Sequence, residues 1–490
     1  MAETDVHRLT KTVLHGREHT GEETIVQIGE GNFLRGFLNW MIHQLHKQDV
    51  YSGRVVAIQP TPHGKVVPVL NAQDGLYTTI LRGKQDGETV DKAELVQSIS
   101  RGINPYTDWN KVIALAASPA VKWLFSNTTE AGLTYLHESY TGEEAPLTFP
   151  GKTTAFLYER FLAFDGSLAA GIVVVPCELV EENGAVLKGL IKRVARDWEL
   201  PEAFFCWLDE AIIFCNTLVD RIVTGFPLGE EAKWATKLGY EDQLLTVAEP
   251  YHLFVIEAER MPSECIPFTK AGLNVVWEKT APYRDLKVRL LNGAHTFLFA
   301  AAVLAGETTV KGALENQVLR RFLERGMQEE LMPTVRANQE VKEAYVASVI
   351  ERFENPYLAH QLTDIGMNAV YKFKTRLLPA LQANQRSHLL LFSLAALLVY
   401  MKPTGKEGAF LQGQANGKPY TIRENEETLT ILNEVWGQFD QEKKNVADTV
   451  QLLLEQEELW GDDLSCHRIQ VTAFVEQLLS GEIEAIIATL

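Results

Sequence analysis

The residues of this chain best suited to chemistry are a lysine, an asparagine and a histidine spaced Lys-x4-Asn-x2-His, in the stretch Leu286-Lys287-Val288-Arg289-Leu290-Leu291-Asn292-Gly293-Ala294-His295-Thr296. On a regular α-helix, which advances ~100° per residue, Lys287, His295 and Asn292 fall at about 0°, 80° and 140°. One wall of a helix can therefore present all three, while Arg289 points elsewhere. Reduction of a carbonyl needs a proton donor beside the oxygen that gains charge, and a donor that stabilises that charge without reacting. A lysine drawn partly out of water and placed near other cations has its pKa lowered toward neutrality, so it works as acid in one direction and base in the other. The competing reading is structural: a solvated lysine, a cap before Gly293 and a satisfied core histidine.

A second candidate follows an apolar strand. Thr24 to Ile28 runs into Gly29-Glu30-Gly31 and then into an amphipathic stretch from Phe33 to Leu45. Strand, glycine turn and helix together make a cradle for a pyrophosphate, because the backbone approaches closely and the first helical amides point at the negative charge. Ile28, Gly29, Gly31, Asn32, Phe33 and Arg35 are the candidate cofactor residues here. The third glycine, Gly36, comes two residues late for the GxGxxG fingerprint, and Gln59 replaces the acidic residue that usually meets the adenosine ribose. The alternative is an ordinary strand-to-helix turn. Asn127 and Thr129, past the end of another predicted strand, lie where nicotinamide contacts usually form; Glu130 reads equally as a helix-start residue.

Those residues require elements to hold them. Strand patterns at 24–28, 54–59, 77–81, 121–126 and 171–175 alternate with helical periods, which predicts a largely parallel sheet covered on both faces. From about Pro282 the texture becomes helical, with 3.6-residue periodicity over 310–325, 339–353, 388–401 and 444–459, and 402–418 reads as a polar surface connection. The expected organisation is α/β, with a Rossmann-type dinucleotide-binding domain over 1–278 and a mainly α-helical catalytic and substrate domain over 279–490. Two lobes imply a cleft.

A net charge of -18 argues against nucleic acid and anionic membranes as partners, and means that an anionic substrate needs a local basic site. Lys372, Lys374 and Arg376 in YKFKTR form such a cluster, although solvated helix cations are commoner than ligand clamps. Five cysteines without metal-ligand spacing, and no HxH or HExxH, predict no metal and a reducing compartment. The start of the chain has no signal-peptide core, so a cytoplasmic location is expected.

Lys-x4-Asn-x2-His in KVRLLNGAH, together with GEGNFLRGF near the start, resembles the long-chain polyol dehydrogenase family that includes mannitol dehydrogenases. QPTP (59–62), NAQDGLYTTILRG (71–83), SNTTEAG (126–132), VVPCELVEENG (174–184), EPYHLFVIEAER (249–260) and FTKAGLNVVW (268–277) are similar to its hexuronate-reducing branch. The resemblance implies a zinc-independent NAD-linked enzyme, with Lys287 as general acid/base, Asn292 as oxyanion donor and His295 orienting substrate. It further implies interconversion of tagaturonate and altronate; fructuronate with mannonate, or mannitol, are the alternatives, and a non-catalytic nucleotide-binding scaffold is the rival from another class. A small sugar acid is the expected partner, and the protein is expected as a monomer or small homo-oligomer. Asn216 and Asp220 in CNTLVDRIV match a family signature and are candidate substrate-side residues, with Asp220 bracing the lysine or paired internally with Arg221. Two positions depart from the pattern. Cys177-Glu178-Leu179 lacks the second oxyanion asparagine expected after a Cys-Asp pair, and Asp364 stands near where a substrate-gripping arginine is expected, although the lysine that follows it is present as Lys372.

Overall fold

Apolar residues on both faces of successive short strands decide the architecture of the first part of the chain. In β1 (Glu23–Ile28), Ile25 joins a buried cluster with Leu34, Phe37 and Leu38, while Val26 and Ile28 join another with Leu124, Phe156 and Leu187. In β2 (Arg54–Ile58), Val55 and Ala57 likewise oppose Val56 and Ile58. Such strands are stable only between two covering layers. The helical segment 32–47 (α1) covers one face, and α2 (Phe149–Ala163) and α3 (Asn183–Asp197) cover the other.

This computed structural model describes residues 7–481 and 483–490, and its contacts divide the chain into Met1–Thr280 and Ala281–Leu490. In the first unit β1 and β2 are joined by β3 (Ile99–Ile103), β4 (Trp123–Ser126), β5 (Val173–Pro176) and β6 (Ile213–Asp220). They form a parallel sheet in the order β3-β2-β1-β4-β5-β6. Antiparallel β7 (Leu253–Ala258) and then β8 (Val275–Val276) extend it. The order of the six parallel strands is that of the Rossmann fold, and it reverses between β1 and β4, at whose carboxyl ends a nucleotide crevice is expected. Ile28 and Ser126 are direct partners at that edge.

The strand expected over 77–81 is Tyr77–Gln85, and it belongs to a separate four-stranded sheet with Glu88–Val96, Thr246–Ala248 and Val223–Gly225. The place beside β2 goes to β3, whose ISRGI sequence hides its strand character. Arg101 escapes burial by reaching the Glu23 carboxylate through two 2.8 Å hydrogen bonds.

The second unit is helical because its central segments have no polar face. Leu389 to Tyr400 of α6 (His388–Tyr400) are all buried, as are most residues of α4 (Gly293–Leu304), and the two helices pack together. Between them in sequence lies α5 (Ala369–Arg376). Three expectations are corrected here. The 310–325 period is broken at Asn316, whose Oδ1 accepts from the Val318 and Leu319 amides at 3.0 and 3.3 Å and starts a new helix. The 444–459 period divides into Val446–Leu454 and Glu457–Trp460. The supposed connection at 402–418 contains most of an antiparallel meander, Gly405–Glu407, Phe410–Ala415 and Lys418–Ile422. Among the described residues no helix is long and apolar enough to cross a membrane.

Candidate active site

The glycine turn sits at the point where the strand order reverses. Gly29 holds φ +115°, and a Cβ there would lie 2.6 Å from the Asn127 carbonyl oxygen, so glycine is needed both for the conformation and for the approach of the two loops. A Cβ on Gly31 would meet nothing within 4 Å, which leaves open space beside the first turn of α1. Beneath the turn, buried Gln27 donates to the Gly29 carbonyl at 2.7 Å and accepts from Asn39 at 2.7 Å. Arg35 is also internal. It donates to the Glu30 carbonyl and to Asn32 Oδ1, and lies over the Tyr77 ring at 5.8 Å, so it braces the turn from inside. Burial pushes the Glu30 carboxyl up to about 7.

A cavity of about 490 Å³ opens beside this turn, lined by Phe33, Asn127, Thr129, Glu130, Ala131, Leu179 and Val219. The structure thus brings together Phe33, Asn127 and Thr129, three of the sequence candidates. A left-handed glycine, an open face at Gly31 and this cavity at the strand switch suit a dinucleotide. Gln59 is placed differently from a ribose-facing amide. It is fully buried, donates to the Thr61 carbonyl at 2.7 Å and packs where a Gly64 side chain would stand. Asn216 accepts from the Ala185 amide at 3.0 Å and so secures the first turn of α3. Asp220 is buried at the end of β6. Arg221 donates to the Glu249 and Gly36 carbonyls at 2.8 Å each and lies 4.1 Å from the Trp40 ring centroid, which buttresses α1.

In the second unit, Lys287 to Asn292 form a π-helical turn that leads directly into α4. The uniform 100° step assumed from sequence therefore fails here. In a turn closed by i→i+5 bonds, residues five apart face nearly the same way, which brings Lys287 and Asn292 closer in angle than the ~140° of an α-helix. Asn292 and His295, three apart, are neighbours on one face. Lys287 and Asn292 are half-buried.

His295 lies at the centre of a polar cluster. Its ring stacks on Phe353 with centroids 4.1 Å apart and meets His360 edge-on at 4.9 Å. Burial, then His360, Arg352, Arg376 and Lys372, hold its pKa well below the usual range, so the imidazole is neutral at pH 7. Its Nε2 is buried with no hydrogen-bond partner among the described residues. Arg376 donates to the Asn292 carbonyl at 3.3 Å and to Thr296 Oγ1 at 3.1 Å, which ties α5 to the helix that carries the trio. Lys372 donates to the Ile365 carbonyl at 2.9 Å, and burial together with Arg376 and Arg423 lowers its pKa.

Sequence reading missed the supports of this cluster. The Glu424 carboxylate accepts from the Val370 amide at 3.0 Å and caps α5, whose own cap residue Asn368 is left-handed and makes no side-chain cap bond. Burial pushes Glu424 up to about 7 against the pull of the Val370 and Ala369 amides and Lys372. Arg423 donates to Asp364 Oδ1 at 2.8 Å and to the Thr363 carbonyl at 2.9 Å. An arginine thus reaches the aspartate that stands where the family pattern expects one, but from the far end of the meander. His360 and Arg352 were missed too. No local periodicity marks a residue whose partners lie dozens of positions away.

Comparison with known proteins adds to this geometry. Residues 23–270 match the mannitol dehydrogenase Rossmann domain, and residues 279–481 match the mannitol dehydrogenase C-terminal domain. The chain is 50% identical over 461 residues to an altronate oxidoreductase from Halalkalibacterium halodurans, covering 93% of this chain and 90% of that protein. It is 39% identical over 473 residues to an altronate oxidoreductase from Escherichia coli, covering 95% and 94%. Among solved structures, a D-sorbitol dehydrogenase in substrate-free form aligns with a TM-score of 0.76 at 21% identity, covering 98% of this chain and all (100%) of that one. The Pseudomonas fluorescens mannitol 2-dehydrogenase ternary complex with NAD and D-mannitol aligns with a TM-score of 0.65 at 20% identity, covering 98% of each chain. At these identities the two structures speak to the fold.

Proposed function

The chain belongs to the mannitol dehydrogenase family, and on that premise we propose that it is an NAD-dependent oxidoreductase interconverting D-tagaturonate and D-altronate. The relatives named altronate oxidoreductase, similar along more than nine-tenths of the chain, support this substrate pair. The glycine turn and the cavity lined by Phe33, Asn127 and Thr129 would hold NAD, which when bound would supply or accept the hydride.

The chain's own residues manage charge and protons. In the reducing direction the Lys287 ammonium gives a proton to the alkoxide oxygen formed at the former ketone, and in oxidation the neutral amine removes it. The Asn292 side-chain amide donates to the same oxygen as it gains charge, in a setting where fixed dipoles act more strongly than water. Neutral His295 can accept a substrate hydroxyl's hydrogen bond at Nε2 or, in its other tautomer, donate there. Lys372, with Arg376 beside it, supplies the positive field for the carboxylate.

The observation that carries the sugar-acid reading is local. In a chain of net charge -18, cations crowd round one half-buried imidazole whose buried Nε2 has no partner among the described residues. Initial rates with NADH and tagaturonate, fructuronate or fructose test it. Tagaturonate should be reduced with the highest kcat/KM; comparable activity on uncharged fructose defeats the carboxylate assignment, and faster turnover of fructuronate moves the substrate to the other hexuronate.

A further inference from the structure

The Cys177-Glu178-Leu179 segment, which lacks the expected oxyanion asparagine, has a different occupation. We propose that Glu178 is a positioning residue for the cofactor: its carboxylate clamps the loop after β4 in the shape that presents Asn127 and Thr129 to the nicotinamide end of the dinucleotide. This inference rests on the cofactor site proposed above.

The carboxylate is only 2% exposed and is saturated by one loop. Oε2 accepts from Ser126 Oγ at 3.0 Å, and Oε1 accepts from the Thr128 amide at 2.9 Å and from Thr128 Oγ1 at 3.1 Å. Asn127, between those two donors, is fixed by its own Nδ2 on the Cys177 carbonyl at 2.8 Å. Two adjacent residues of the segment therefore hold three consecutive residues of the loop. The other side of Glu178 is held as well, since Asn183 Nδ2 donates to its carbonyl at 3.0 Å.

The loop needs a clamp because it is strained. Thr129 sits at φ +72°, ψ 167°, a region that a β-branched residue enters only when its surroundings dictate it. Thr128 Oγ1 also occupies the space that a Cβ on Gly132 would take, so the loop is packed tightly on its far side. Asn127 and Thr129 both line the cavity, and the Asn127 carbonyl is the group that closes on Gly29. Loss of the clamp would thus disturb both walls of the cofactor pocket.

Glu178 is also unsuited to the vacant oxyanion role. Both of its carboxylate oxygens already accept from Ser126 and Thr128, so neither is left to meet a substrate oxygen. Its neighbour Leu179 lines the cavity with an apolar side chain that is 65% exposed. The segment has exchanged charge stabilisation at substrate for shape and an apolar wall at the cofactor.

The test compares Glu178→Ala with Glu178→Gln in the full-length protein, using NADH binding by fluorescence titration, KM for NADH and for tagaturonate, and thermal unfolding. The Ala variant strands the Thr128 amide and should weaken NADH binding roughly tenfold or more. The Gln variant keeps an acceptor for that amide and should recover most of the affinity, to within about threefold. The KM for tagaturonate at saturating NADH should change less than about twofold in both, a split that general loosening of the fold does not produce. NADH affinity unchanged in a folded Ala variant, or equal losses in the Ala and Gln variants, overturns the assignment. If the Ala variant does not fold, Thr128→Val, which removes only the hydroxyl donor, decides: a rise in the NADH dissociation constant with an unchanged tagaturonate KM supports the clamp, and unchanged NADH binding overturns it. Wild-type protein that binds no NADH defeats the cofactor reading itself, whereas wild-type binding with an indifferent Glu178 defeats this inference alone.

Discussion

At the scale of single residues, the proposed mechanism makes one amine responsible for the proton. Lys287→Ala should lower turnover roughly 100-fold or more while leaving NADH affinity nearly unchanged, as expected when a general acid/base is lost. Turnover within about threefold of wild type would remove Lys287 from the mechanism. Residues of this kind left a trace in the sequence because they sit in a short run of mixed type, amine, amide and imidazole among leucines. Gly29 was legible for another reason: a φ of +115° admits few side chains, so that conformation is written as glycine directly after an apolar strand. Glu178, His360 and Glu424 were not legible. Each draws its role from partners about fifty or more positions distant, Ser126 and Thr128, His295, or Val370, and no local pattern records such a pairing.

At the scale of elements, α5 illustrates how a short helix is held in place for charge. Its eight residues carry Lys372 and Arg376, its first amides rest on Glu424, and its last turn is tied to the trio's helix by Arg376. Burial raises the Glu424 carboxyl in the folded protein to about 7, above its usual value of 4.5. The folded protein therefore prefers the protonated carboxyl, and that contribution is full below pH 4.5 and is lost as pH rises through 7. Glu424→Gln mimics the protonated form and avoids this loss. Its stability relative to wild type, measured by urea unfolding, should improve by about 1–3 kcal/mol between pH 4.5 and pH 8. A difference independent of pH would mean that Glu424 is not the titrating group. Elements with one continuous hydrophobic signal, such as β1, β2 and α6, were readable from sequence. β3 and the 405–422 meander were not, because polar side chains that find partners or solvent interrupt the alternation.

At the scale of the whole molecule, the net charge of -18 and an anionic substrate oppose each other at long range. Exposed charges are screened beyond a Debye length of about 8 Å at physiological ionic strength, whereas half-buried cations round the His295 imidazole are screened less. Raising ionic strength from about 10 to 150 mM should therefore increase kcat/KM for tagaturonate or leave it level; a steep fall would mean that exposed cations guide the substrate. The overall plan of a Rossmann-type unit followed by a helical one could be read from the change in texture near residue 280, because periods of 2 and 3.6 are properties of whole segments. The π turn at Lys287–Asn292 could not, and it has a consequence for how such chains are compared. Five positions here span what four span in an ordinary helix, so the segment is one residue richer than an α-helical turn that faces amine and amide together. Removing Val288 should let the coil tighten to a uniform pitch with that pair still on one flank. The shortened protein would lose the wider bore that the extra residue gives the turn.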